Sequence, residues 1–146
     1  LPSAKRLAET AGEILYGKNV NPLAAAAGGY ALVSSAADTQ YQRWHDWIEN
    51  LMQRFEHLPD GAIQYGTMRM RLRTTETDFS EASRAFKLAY QRGLPFYGLG
   101  LRWLLEGLQR AGTRDPEAKV MAHSVQRLTA RLHPQSPFTI LRLGRQ

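Results

Sequence analysis

Apolar residues recur three and four positions apart in nearly every segment of this chain, and strict alternation over a strand-length run is hard to find before the final residues. A period near 3.6 gathers such residues on one side of a helix, so the pattern predicts an all-α fold. Ser3 can cap a first helix whose stripe is Leu7, Ala11, Ile14 and Leu15 and which ends near Gly17. Asn21 and Pro22 read as N-cap and first position of a second helix, since proline's fixed φ suits the first turn and its missing N–H costs nothing there. Asp38 or Thr39 opens a third helix with Tyr41, Trp44, Ile48, Leu51 and Phe55 on one face, and "HLPDG" stops it.

A fourth helix is expected from about Asp60 to Arg73, and a fifth opens at Asp78 or Ser80 and closes at Gly93. After Leu94 and Pro95 comes the most apolar helix, ended by Gly112. Leu101, Leu104, Leu105 and Leu108 occupy one face, while Phe96, Leu99 and Trp103 lean to another. A helix apolar on two faces sits between neighbours. Asp115 and Pro116 repeat the cap-plus-proline signature for a seventh helix lined by Met121, Val125, Leu128 and Leu132. In the tail, Phe138, Ile140 and Leu143 return as an extended segment or a last turn. The expectation is one domain over residues 1–146, with six to seven antiparallel helices.

Each class of activity needs residues that can be looked for. The chain has 146 residues, enough for a core without disulfides or a structural metal, and it has no cysteine, which excludes thiolate metal sites and cysteine nucleophiles. Gly-x-Ser-x-Gly, His-Glu-x-x-His and a helix-borne Ser-x-x-Lys are missing. His45 stands four residues before Glu49 and next to Asp46, but an i,i+4 pair supplies two ligands at most and reads as a solvated helix face. Glu76, Asp78 and Glu81 crowd one helix start, where capping and the helix dipole account for them. No catalytic residue, metal ligand or cofactor site is assigned, and the chain is not expected to be an enzyme.

"NPLAAAAGGYALVSS" (Asn21 to Ser35) lies in a stretch of 19 uncharged residues between Lys18 and Asp38, close to a bilayer-spanning length. Alanine, asparagine, proline and serine make it too polar to span, and no Lys follows the glycines as a phosphate loop requires. Interior glycines cost about 1 kcal/mol each relative to alanine, so a compensating close approach of a neighbouring helix is expected. On the helical projection Leu23, Ala27, Tyr30 and Ser34 share one side and Ala25, Gly29 and Leu32 the other, so both sides can be covered. The run reads as a central, tightly packed helix.

Charge is uneven. Residues 1–60 carry 5 Lys and Arg against 7 Asp and Glu, whereas residues 61–146 carry 14 against 6. Such an excess suits a soluble arginine-rich surface, and also a nucleic-acid partner. In "MRMRLR" Arg69 and Arg73 share a helix face and Arg71 points away from them. Trp47 falls at the edge of its helix's apolar arc and Trp103 off the leucine face, either in a second core layer or in an exposed groove.

The segment "LPDGAIQYGTMRMRL…DFSEASRAFKLAYQRGLPF" aligns with "LPFYGLGLRWLLEGL…DPEAKVMAHSVQRLTARLHPQSPF", Asp78 meeting Asp115 at an offset of 37. Ala62, Gly66, Ala82, Ala85 and Ala89 fall where two helices must approach, and over residues 60–138 the chain resembles tetratricopeptide-like helical hairpins. The resemblance implies a right-handed stack in the second half with a concave face for a partner. Asn21, Pro22, the alanine–glycine run, Trp44, Trp47 and "LPDG" at Leu58 to Gly61 resemble the helical extension that follows CHAT or caspase-like peptidase domains in long bacterial proteins. That likeness implies an accessory domain with catalysis elsewhere in the parent chain.

Without an initiator Met, a basic n-region or an apolar h-region, "LPSAKRLAET" reads as the start of an excised cytoplasmic domain. The expected function is a non-catalytic protein-interaction or scaffolding domain of a larger bacterial multidomain protein, with a protein or a neighbouring domain as partner. Trp47, Arg69, Arg73 and Trp103 are the expected contact residues, and a basic nucleic-acid-binding domain is the alternative.

Overall fold

The computed structural model describes residues 17–35, 41–72, 74–133 and 135–141. The helix expected from Ser3 to near Gly17 falls outside them up to residue 16, as do the caps at Asp38 and Thr39, and Arg73 and Leu143. A single 3-10 turn, Gly17–Asn19, leads into α1 (Pro22–Ser35), followed by α2 (Tyr41–Arg54), α3 (Asp60–Leu72), α4 (Glu76–Arg92), α5 (Gly98–Ala111) and α6 (Pro116–Thr129). Among the described residues the only extended pairing is two isolated antiparallel bridges, Tyr97 with Phe138 and Leu132 with Leu141. The fold is all-α, and the tail returns as an extended segment.

The ends of the helices follow their local chemistry. Asn21 Oδ1 accepts from the Ala24 N–H at 3.0 Å, and Asp115 Oδ1 accepts from the N–H groups of Glu117 and Ala118, each cap standing before a proline. The opening of α4 differs from the expectation. It begins at Glu76 with Thr75 as N-cap, and Asp78 is the third helical residue, its carboxylate accepting from Thr75 N–H while Thr75 Oγ1 accepts from Asp78 N–H. This capping box outcompetes Asp78 or Ser80 as the start because it satisfies two otherwise orphaned donors at once. Gly93 closes α4 at φ 112, a conformation glycine tolerates without strain. Phe96 precedes α5 instead of lying within it.

α1, α3 and α5 begin 38 residues apart, at Pro22, Asp60 and Gly98. Each of these three packs on its successor in the chain, and α3 also touches α1 and α5, so α3 is the hub. Cross-links Arg69 to Asp78 and Tyr65 to Glu81 run in opposite directions along α3 and α4, which makes that pair antiparallel.

Glycines set the closest approaches. Phe86 of α4 is 1% exposed, and its ring lies in a slot between Gly66 of α3 and Gly107 of α5. A Cβ on Gly29 would stand 1.9 Å from Gln64 Oε1, and one on Gly100 would stand 2.1 Å from the Tyr30 hydroxyl. The alanine–glycine run is thereby explained: Ala25 and Ala26 are fully buried, Gly29 admits Gln64 of α3, and Gln64 Nε2 donates to the Ala26 carbonyl at 2.7 Å. One strip of α1, through Ala27, Ala31 and Ser34, faces solvent, so only the opposite sides are covered.

Candidate partner-binding groove

The expected contact residues that the structure describes, Trp47, Arg69 and Trp103, do not form one exposed patch. Trp103 is 8% exposed and lies within the core, its ring 5.2 Å from Tyr30 and under the Arg71 guanidinium at 5.1 Å. The second apolar face of α5 is a core layer, so Trp103 offers no exposed anchor. Trp47 is half-buried against the core, and Arg73 lies outside the described residues.

Arg69 is held by its own fold. Its Nη1 reaches Asp78 Oδ1 at 3.0 Å, its Nη2 reaches Glu81 Oε2 at 2.9 Å, and its Nε donates to the Tyr65 hydroxyl at 3.2 Å. Tyr65 in turn donates to Glu81 at 3.0 Å. Burial works against the Asp78 charge, but donors from Thr74 and Thr75 outweigh it and hold the carboxyl below its ordinary range. Arg71 leaves the other side of α3, as its position in "MRMRLR" requires, and donates to the Val33 carbonyl.

α4 presents a groove instead. One stretch of about 380 Å³ is lined by Met52 of α2, Tyr65 of α3, Glu81, Arg84, Leu88 and Gln91 of α4, and Glu117 of α6 among others. A second stretch of about 420 Å³ continues from Arg84 and Lys87 past Ser80 and Ser83 to Glu76 and Arg114. Three cross-links frame the two stretches: Arg69 with Asp78 and Glu81, Lys87 with Asp115 and Glu117 at 2.9 Å each, and Arg114 with Glu76 at 2.6 Å. Hydrogen bonds from Lys87 hold the Asp115 carboxyl below its usual range. Arg84 lines both stretches, is exposed, and has no acidic partner among the described residues.

Two polar features belong to other parts of the fold. Tyr30 donates to Asp60 Oδ1 at 2.8 Å, and Phe96 N–H approaches Asp60 Oδ2 at 3.4 Å, tying α1 and the loop before α5 to the start of α3. Asp60 is fully buried without a cation, and desolvation pushes its carboxyl above the ordinary range although these donors pull the other way. Burial, with the Asp60 charge beside it, pushes the Tyr30 phenol well above its usual value. Sequence reasoning passed over this pair, because an aspartate at a helix start reads as a cap. Its one trace is Gly100, which leaves room for the Tyr30 hydroxyl.

His45, Asp46 and Glu49 are the one set among the described residues whose possible metal-donor atoms lie within 4.8 Å of one another. All three come from α2; the Asp46 side chain is 96% exposed, whereas the His45 ring is largely covered and packs edge-on against Tyr65 at 5.6 Å, so the expected solvated face holds for Asp46 and not for His45.

The family model of the Y4kD C-terminal domain matches residues 1–140. The chain belongs to this family. No curated protein and no solved structure matches it. No helix among the described residues is long and apolar enough to cross a membrane.

Proposed function

We propose that this Y4kD C-terminal domain is a non-catalytic, cytoplasmic interaction module of a larger bacterial multidomain protein, which grips a segment of a protein partner or neighbouring domain along α4. The observation that carries the reading is the groove, with an apolar floor of Met52, Ala85 and Leu88, walls whose charges are tied to one another by ion pairs, and Arg84 left over between them. The ion pairs hold the wall side chains in place, and an unpaired arginine between apolar contacts has the make-up of an interface hot spot. The partner segment therefore carries a carboxylate facing Arg84 and an aliphatic side chain facing Leu88. Three helix pairs whose first members start 38 residues apart favour a tetratricopeptide-like stack, and a family defined by a C-terminal domain favours an accessory role beside other domains.

A photo-crosslinking residue placed at Leu88 in the native parent protein tests this. The expected result is a crosslink to one defined segment that disappears with Arg84→Glu, while a crosslinker at Arg102 on α5 gives none. Equal labelling from both positions would refute the groove.

A further inference from the structure

The basic excess of the second half resolves into two groups. Arg69, Lys87 and Arg114 are matched to carboxylates, and Arg71 and Arg92 donate to backbone carbonyls. Among the described residues of that half, Arg84, Arg102, Arg110, Lys119, Arg127 and Arg131 have no such partner. Three of the six fall on one line. Lys119, His123 and Arg127 recur every fourth residue along α6, and Arg131 follows in the turn after it; all four are exposed. Their side lies opposite the buried Ala118, Ala122 and Val125, and it borders a shallow depression of about 540 Å³ lined by Val120, Ser124, Gln126 and Ala130 together with His123 and Arg127. The acidic residues at the start of α6, Asp115 and Glu117, are drawn to the other side by Lys87.

We propose that this face of α6 binds the sugar–phosphate backbone of single-stranded nucleic acid, a function separate from the α4 groove. Residues four apart on a helix rise about 6 Å, so the line meets a strand with the charges of Lys119, Arg127 and Arg131 and, between the first two, the hydrogen-bonding ring of His123. A protein partner would need apolar anchors between the charges, and the face has only Val120 as a large apolar side chain. A membrane surface would need a helix with a free apolar face, whereas that of α6 is spent on α5. The line ends at Arg131, beside Leu132, where the returning tail pairs through Leu141. Three residues away the tail carries Phe138, which with Phe96 and Tyr97 forms a ring cluster; Phe96 and Phe138, centroids 5.2 Å apart, are its exposed members, each residue over 40% exposed. Exposed rings at the end of a cationic track are what unpaired bases stack upon, which selects single strands over duplex.

The test is fluorescence anisotropy with the 146-residue chain, using a labelled mixed-sequence 20-nucleotide RNA, the matching duplex, and vesicles containing phosphatidylserine. Expected is salt-dependent binding to the single strand, at least tenfold weaker to the duplex. Lys119→Glu/Arg127→Glu/Arg131→Glu should weaken it more than tenfold and lower the slope of log K against log salt by roughly 2, at about 0.7 per phosphate contact. Phe138→Ala should weaken single-strand binding about tenfold with the slope unchanged, and Arg84→Glu should change little. No binding at 50 mM salt, binding that survives the triple reversal, or binding to vesicles without binding to RNA would overturn the proposal. Circular dichroism of the triple variant separates lost binding from lost folding.

Discussion

Replacing Gly107 with alanine puts the packing of the centre to a quantitative test. The added methyl would stand 2.3 Å from two carbons of the Phe86 ring and 2.5 Å from a third. Carbon atoms rest at about 3.5–4.0 Å, so the ring must withdraw by more than about 1 Å. It has nowhere to go, because it is 1% exposed and Gly66 bounds its other side, where an added methyl would meet ring carbons at 3.0–3.1 Å. Overpacking of this kind costs about 1–3 kcal/mol, here at the upper end, and alanine returns about 1 kcal/mol of helix propensity. A net loss of about 2 kcal/mol is expected, or a melting temperature lower by about 6 °C for a chain of this size. Gly66→Ala asks for only a few tenths of an ångström, so propensity cancels strain and the variant should stay within about 0.5 kcal/mol of the parent. Phe86→Leu should cost stability alone yet relieve Gly107→Ala in the double variant. Urea and thermal unfolding followed by circular dichroism measure all four. Equal stability of the two alanine variants, or no rescue by leucine, would refute the slot.

Trp103→Ala should lose about 3–5 kcal/mol in urea unfolding, as removal of a core aromatic does. Thr75→Ala should cost about 1 kcal/mol by breaking the capping box, whereas Ser80→Ala should stay within about 0.5 kcal/mol, both read from unfolding midpoints. Because the folded state raises the Asp60 pKa, native protein holds that proton longer than the unfolded chain; this contribution is full below about 3.9 and is lost as pH rises through the raised value. Asp60→Asn should remove that falling limb from a plot of unfolding free energy against pH, and an unchanged plot would count against the assignment. Asp78 has the opposite sign: its lowered pKa gives stability that disappears only as pH falls through the folded value, and Asp78→Asn should flatten the acid limb.

Much of the fold was legible in the sequence because it is written locally. The cap-plus-proline pairs at Asn21 and Asp115 and the stop at Gly93 need only neighbouring residues, and the structure repeats them. The start of α4 was misread by two to four residues, since Thr75 competes with Asp78 through a reciprocal bond that spacing alone does not rank. The site was less legible. Trp103 and Arg69 carry the residue types of an interface, but burial depends on which helices flank α5, and Arg69 finds its carboxylates across a helix pair. Arg84 has no local mark in the sequence, since its lack of an acidic partner becomes visible only after the other charges have been matched in space.

A ring seated in a notch behaves mechanically as a key. Helices that meet through leucine faces can slide past one another by small steps while burying nearly the same area, the shear by which many helical proteins deform. Phe86 between Gly66 and Gly107, and Tyr30 opposite Gly100, each allow a single axial position. Displacing α3 along α4 by one turn would set the ring against the side chain of Ala62 or Met70 in place of Gly66. The middle of the domain is thus keyed against sliding of α3 and α5 past α4.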